Sequence, residues 1–166
     1  KRIADRFAII DYEIFDVRHN KEVPGMDFDI YISSGGPGNP LDTDGGWADD
    51  YYGLMDKLWE HNQQHEEKKF VFFICHSFQM ICHHLNIGDV SLRDKESFGI
   101  VPVDKTDTGK AEPLFRDLSN PFYGADFRRY QVTNPDMNRL KELGATILAI
   151  ETNKLEIENE AAVMAI

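Results

Sequence analysis

The chain has 166 residues, 42% of them hydrophobic, with 12 Gly and 7 Pro spread along it, which fits one globular domain with a full core. A formal charge of −11 without clustered Lys and Arg argues against nucleic acid and other polyanions as partners. With neither a signal peptide nor an apolar run of membrane length, a cytoplasmic location with no membrane partner is expected.

Lys1 to Arg6 reads as the last turn of a helix, and Phe7 to Phe15 as a strand. Val23 to Met26 is a turn before a second strand, Phe28 to Ser33, which opens directly into SSGGPGNP. Gly35, Gly36, Pro37 and Gly38 there make a tight loop whose N–H groups can approach a ligand, because glycine has no Cβ and accepts positive φ. Such a loop can bind an oxyanion or serve as an ordinary turn. Asp42 to Gly46 is a polar linker, after which Trp47, Tyr51, Leu54 and Leu58 recur at helical spacing as far as the charged residues Glu66 and Glu67.

Phe70 to Ile74 is an unbroken apolar run, the pattern of a strand buried on both faces of a parallel sheet. Phe78, Ile81, Cys82 and Leu85 then form one stripe of a helix that stops near Gly88. Cys75 stands at the break, where free N–H groups and the helix dipole would stabilise a thiolate; a small buried hydrophobe would also suit the position. On one helix, Cys75 and Cys82 would lie about 10 Å apart, beyond disulfide reach. His61, His65, His83 and His84 show no ligand-pair spacing and fit solvated helix faces, so no metal is expected.

A strand around Phe98 to Val103, the segment EPLFRDL and the run FYGADFRRYQV follow. Asn134 as N-cap and Pro135 at the first helical position then start a helix that Gly144 closes, and ATILAIE is one more strand. The alternation predicts a single α/β domain over residues 1–166, an open, mostly parallel sheet with helices on both faces. Ligands of such sheets bind at the carboxyl ends of the strands, where both the glycine loop and Cys75 would lie.

SSGGPGNP followed by ICHSFQ resembles the class I glutamine amidotransferases of the GMP synthase type, whose pattern is an SGGPG loop and then a CxGxQ nucleophile turn. The likeness extends through FGIVPV, EPLF, RRYQV and ELGATILAIE in order and spacing. It implies a flavodoxin-like fold and a cofactor-free reaction: Cys75 attacks the side-chain amide of glutamine, a thioester forms, and ammonia passes to an acceptor synthetase domain or subunit. By the same resemblance the N–H groups of Gly36 and His76 hold the oxyanion, with Gly35, Pro37 and Gly38 completing the loop. Gln79 would line the substrate pocket, and Tyr130 and Gln131 would stand near the substrate's amino-acid end.

Three departures stand out. Phe73 and Ser77 replace the family's turn glycines, Gln131 replaces a histidine, and no histidine follows His84. The family's His and Glu pair is therefore expected after Ile166, and the first family strand before Lys1. Two other readings compete: a PfpI-type cysteine hydrolase in which His76 is the base, and a non-catalytic binding module that kept the fold.

Overall fold

The computed structural model describes residues 11–42, 46–152 and 161–166. The chain divides into two compact units, one made of Lys1–Tyr31 and Thr43–Phe70, the other of Ile32–Asp42 and Val71–Ile166. Among the described residues no helix is long and apolar enough to cross a membrane.

The first unit is built on α1 (Trp47–Gln64), which buries Trp47, Ala48, Tyr51, Leu54, Met55 and Leu58 along one face and carries Asp49 and Asp50 in its first turn, where acidic groups favour the helix dipole. Its C-terminal end is held by side chains. Asn62 exchanges two 2.8 Å hydrogen bonds with the backbone of Lys69, and the Lys68 ammonium donates to the carbonyls of Asn62 and His65. The buried Tyr31 donates its hydroxyl to the Gly25 carbonyl at 2.8 Å and meets Phe28 edge-on. Of the strand expected over Phe7 to Phe15, residues 7–10 lie outside the described residues, as does the expected helical turn at Lys1 to Arg6; residues 11–15 are not strand.

β1 (Ile30–Ser33) and β2 (Phe70–Phe73) form a two-stranded sheet. The Phe70 N–H donates to Asp29 O at 2.8 Å and the Ile74 N–H to Ser33 O at 3.0 Å, the equal offset of a parallel pair. The expectation that β2 is buried on both faces does not hold, since Phe70 and Phe72 are 63% and 61% exposed and β2 alternates.

In the second unit, β2 leads into α2 (His76–His84), followed by β3 (Asp89–Lys105), the short α3 (Asp107–Ala111), a single 3-10 turn at Pro113–Phe115, β4 (Phe122–Thr133), α4 (Met137–Leu143), β5 (Ala149–Glu151) and β6 (Val163–Ala165). These strands build a second sheet in the order β4-β3-β5-β6, with every pair antiparallel. The register of the long β3–β4 ladder runs from Asp89↔Thr133 to Val103↔Phe122 and shifts between Leu92 and Ser97. The chain is thus a mixed α/β protein, and the strands from Asp89 onward are antiparallel rather than members of the expected parallel sheet. Residue alternation reports burial, not the direction of a neighbour, so the sequence pattern could not separate the two arrangements.

The core of this unit joins Cys82 and Ile87 to Val132, Leu140 and Val163, with Phe78, Leu85, Val90 and Ile147 packed around them. The helix expected from Asn134 begins later. Asn134 is left-handed at φ 47 and its amide donates to Asp89, while Asp136 is the cap, its carboxylate accepting from the N–H groups of Asn138 and Arg139. Gly144 closes α4 in the left-handed conformation, as its position suggests.

Candidate functional site

Cys75 lies between the end of β2 and the first turn of α2, and its backbone adopts φ 54 and ψ −104. An L-residue pays a steric penalty of about 1–3 kcal/mol there, so surrounding bonds must hold the bend in place. They do so on both sides. The Gln79 N–H donates to Cys75 O at 3.0 Å and the Ser77 N–H to Ile74 O at 3.2 Å, starting the helix at once. The Ser77 hydroxyl accepts from the Ile74 N–H at 2.9 Å and donates to Ser33 O at 2.6 Å, fastening the bend to the end of β1. Ser77 is buried, and where the resemblance expects a glycine it braces the turn instead of crowding it.

The glycine loop reaches this bend. A Cβ added at Gly35 would stand 3.1 Å from the Cβ of Cys75, 3.3 Å from Ile74 O and 3.8 Å from the Cys75 sulfur, so the loop lies close against the cysteine and a side chain there would crowd it. Gly36, Pro37 and Gly38 continue the loop in exposed positions, with Gly38 at φ 104. Cys75 is itself exposed and its thiol is free.

The ionisation of that thiol departs from expectation. Burial of the sulfur's surroundings pushes its pKa up, and this outweighs the His76 backbone N–H, which pulls it down. Two charges on β4 follow in importance: the Asp126 carboxylate raises the value and the Arg128 guanidinium lowers it. The resting group is therefore a thiol, not the stabilised thiolate that its place at a helix start suggests, and any reaction through it needs a base.

The remaining residues singled out in the sequence divide. Gln79 is buried and donates through Nε2 to the Tyr130 carbonyl at 2.8 Å, joining α2 to β4 next to the cysteine. Gln131 instead serves Arg93, its Oε1 accepting from Arg93 Nη1 at 2.9 Å. That contact belongs to a chain of ion pairs that sequence reasoning missed. Arg93 forks onto Glu151 at 2.8 and 2.9 Å, Arg128 Nη2 donates to Glu151 Oε2 at 2.8 Å, and Arg128 Nε donates to Asp126 Oδ2 at 2.9 Å. The available signal was the alternation of ADFRRYQ, which puts 126, 128 and 130 on one side of a strand and two opposite charges on the side turned from solvent. Among the described residues no group of three or more His, Cys, Asp or Glu side chains could hold a metal ion.

No protein-family model matches the chain, and no curated protein matches it. Its fold is similar to the crystal structure of SMU.1228c, at a TM-score of 0.61 and 20% identity, over 93% of this chain and 65% of that one. The chain thus spans slightly less than two thirds of that structure, and at this identity the likeness bears on the fold alone.

Proposed function

We propose that the chain is the glutaminase part of a class I glutamine amidotransferase, a cytoplasmic enzyme that needs no cofactor. The observation that carries this reading is the strained bend at Cys75 with Gly35 packed against it, since a positive φ is retained in a non-glycine residue where a side chain must be presented at a fixed angle. The finer, flavodoxin-like fold belongs to the same reading, with β1 and β2 as two adjacent strands of a larger parallel sheet.

The Cys75 sulfur attacks the side-chain amide carbon of glutamine while its proton leaves to a base. The N–H groups of Gly36 and His76 donate to the amide oxygen as it becomes negative; fixed donors of this kind contribute about 3–4 kcal/mol each. The amide nitrogen takes up a proton and departs as ammonia, leaving a glutamyl thioester. Water then cleaves the thioester to glutamate and restores the thiol, so the sum is glutamine plus water to glutamate plus ammonia. The raised pKa of Cys75 makes the base essential, and in this reading it is the His and Glu pair expected after Ile166. The ammonia goes to an acceptor domain or subunit. The PfpI-type alternative, with the His76 ring as base, is less well supported, because what acts on the thiol from His76 is its peptide N–H.

Incubating the full-length protein with L-glutamine should release ammonia and glutamate in equal amounts, and Cys75→Ala should abolish the release. Undiminished turnover in Cys75→Ala would remove the cysteine from the mechanism. Cleavage of small acyl substrates with glutamine left intact would favour the PfpI-type reading, and inertness toward both would favour a binding module.

A further inference from the structure

Residues 74 and 77 stand on either side of Cys75, and both are tied to one carbonyl at the end of β1. The Ile74 N–H donates to Ser33 O at 3.0 Å, and the Ser77 hydroxyl donates to the same oxygen at 2.6 Å. The hydroxyl oxygen also accepts from the Ile74 N–H at 2.9 Å, so the three groups close a small ring. A helix-start serine can satisfy its hydroxyl locally, and here Ile74 O lies 3.2 Å away for that purpose. The shorter bond instead crosses to a carbonyl 44 positions earlier in the chain. Ser77 is 3% exposed, so water competes little for it. Between the two anchors Cys75 holds φ 54 and ψ −104. A bond at Ile74 alone would fix where the bend begins and let the strained residue relax, whereas the bond at Ser77 fixes where it ends. Ser33 also leads into the loop whose Gly35 stands against Cys75, so one carbonyl sets the loop and the bend relative to each other.

We propose that Ser77 is a positioning residue for the reaction at Cys75: its hydroxyl clamps the cysteine bend to the start of the glycine loop and so fixes the sulfur against the N–H donors of that loop. The catalytic consequence rests on the glutaminase reading, and the clamp itself does not. The sulfur must reach the carbon of an amide while the loop donors reach its oxygen, both at the same moment. Their separation therefore matters in the transition state far more than in the binding of glutamine. The hydroxyl does this without being needed for folding, because Ile74 N–H and Ser33 O keep each other as partners when it is removed.

The test compares Ser77→Ala, Ser77→Gly and Ser77→Thr in the full-length protein. With L-glutamine, the alanine and glycine variants should lose kcat by about ten-fold or more with KM unchanged within about two-fold, and threonine, which keeps the hydroxyl, should recover part of the loss. Alkylation of Cys75 by iodoacetamide needs the thiol but no oxyanion donor, so its rate should match wild type in all three; a general loosening of the fold would change it. Hydrogen exchange read by mass spectrometry should rise in Ser77→Ala over residues 33–38 and 74–79 and stay as in wild type over α4. Full kcat in Ser77→Ala or Ser77→Gly, equal changes in kcat and alkylation, or unaltered exchange over both segments would overturn the proposal. The two readings separate. Faster exchange in Ser77→Ala, with no ammonia released even by wild type, would keep the clamp and remove the glutaminase. Ammonia release untouched by Ser77→Ala would keep the glutaminase and remove the positioning role.

Discussion

At Cys75 the backbone pairs φ 54 with ψ −104, close to the mirror image of an ordinary extended residue, so glycine would adopt it without strain. The chain nevertheless places a side chain there and holds it with the Ser77 hydroxyl and the first bonds of α2. Cys75→Gly should therefore be more stable than Cys75→Ala by about 1 kcal/mol in urea unfolding, although glycine at an unstrained position is normally the less stable of the two. Equal stability, or alanine ahead, would mean that the bend stores no strain. The cysteine and the Gly35 loop were legible because an apolar strand breaking into a helix and a glycine-rich strand end are both local patterns. The Asp126 and Arg128 charges that act on the Cys75 thiol were not, because their effect depends on how β4 is placed relative to α2, and nothing near residue 75 encodes it.

The elements β3, β4 and β5 meet at Glu151, whose carboxylate takes Arg93 in a fork and Arg128 by one nitrogen. Most of the element positions could be read from the sequence. The run FYGADFRRYQV, singled out without a secondary-structure assignment, is β4, and the Trp47 helix ends two residues before Glu66, whereas the ATILAIE strand shrinks to Ala149–Glu151. What could not be read was the pairing, since the β3–β4 connection, with a helical turn in it, looks like a crossover until the register Val103↔Phe122 shows a hairpin. The ion pairs follow from that pairing. Glu151→Ala would leave the Arg93 guanidinium, 16% exposed, without a counter-charge and Arg128 with Asp126 alone, and should cost about 3 kcal/mol in urea unfolding. Gln131→Ala removes a neutral acceptor from an Arg93 that keeps Glu151, so about 1 kcal/mol is expected there. If Glu151→Ala costs no more than Gln131→Ala, the ion pairs do not hold the three strands together.

For the whole molecule, the chain divides into two compact units, a division that composition does not encode because the chain crosses between them at Tyr31 to Ile32, at Asp42 to Thr43 and again at Phe70 to Val71. The core of the second unit was half legible. Cys82 belongs to the stripe read on the cysteine helix, but its partners Val132, Leu140 and Val163 come from three distant elements. Cys82 is fully buried, and burial pushes its thiol from 9.0 up to about 12, so the folded protein keeps a proton that the unfolded chain gives up above pH 9. The sign follows from linkage. A folded-state value above the unfolded one gives stability that is complete below pH 9 and declines as pH rises toward 12. At pH 11 the loss from this group should be roughly 3 kcal/mol. Cys82→Ala lacks the group and should start lower at pH 8, by about 1–2 kcal/mol for the lost packing, yet fall less steeply, so the two stability curves converge or cross between pH 9 and 11. Lysines and tyrosines titrate in both proteins and cancel in the difference. Urea unfolding at intervals across this range measures it directly, and parallel curves would mean that the Cys82 thiol ionises in the folded protein as it does in water and does not sit in a dry core.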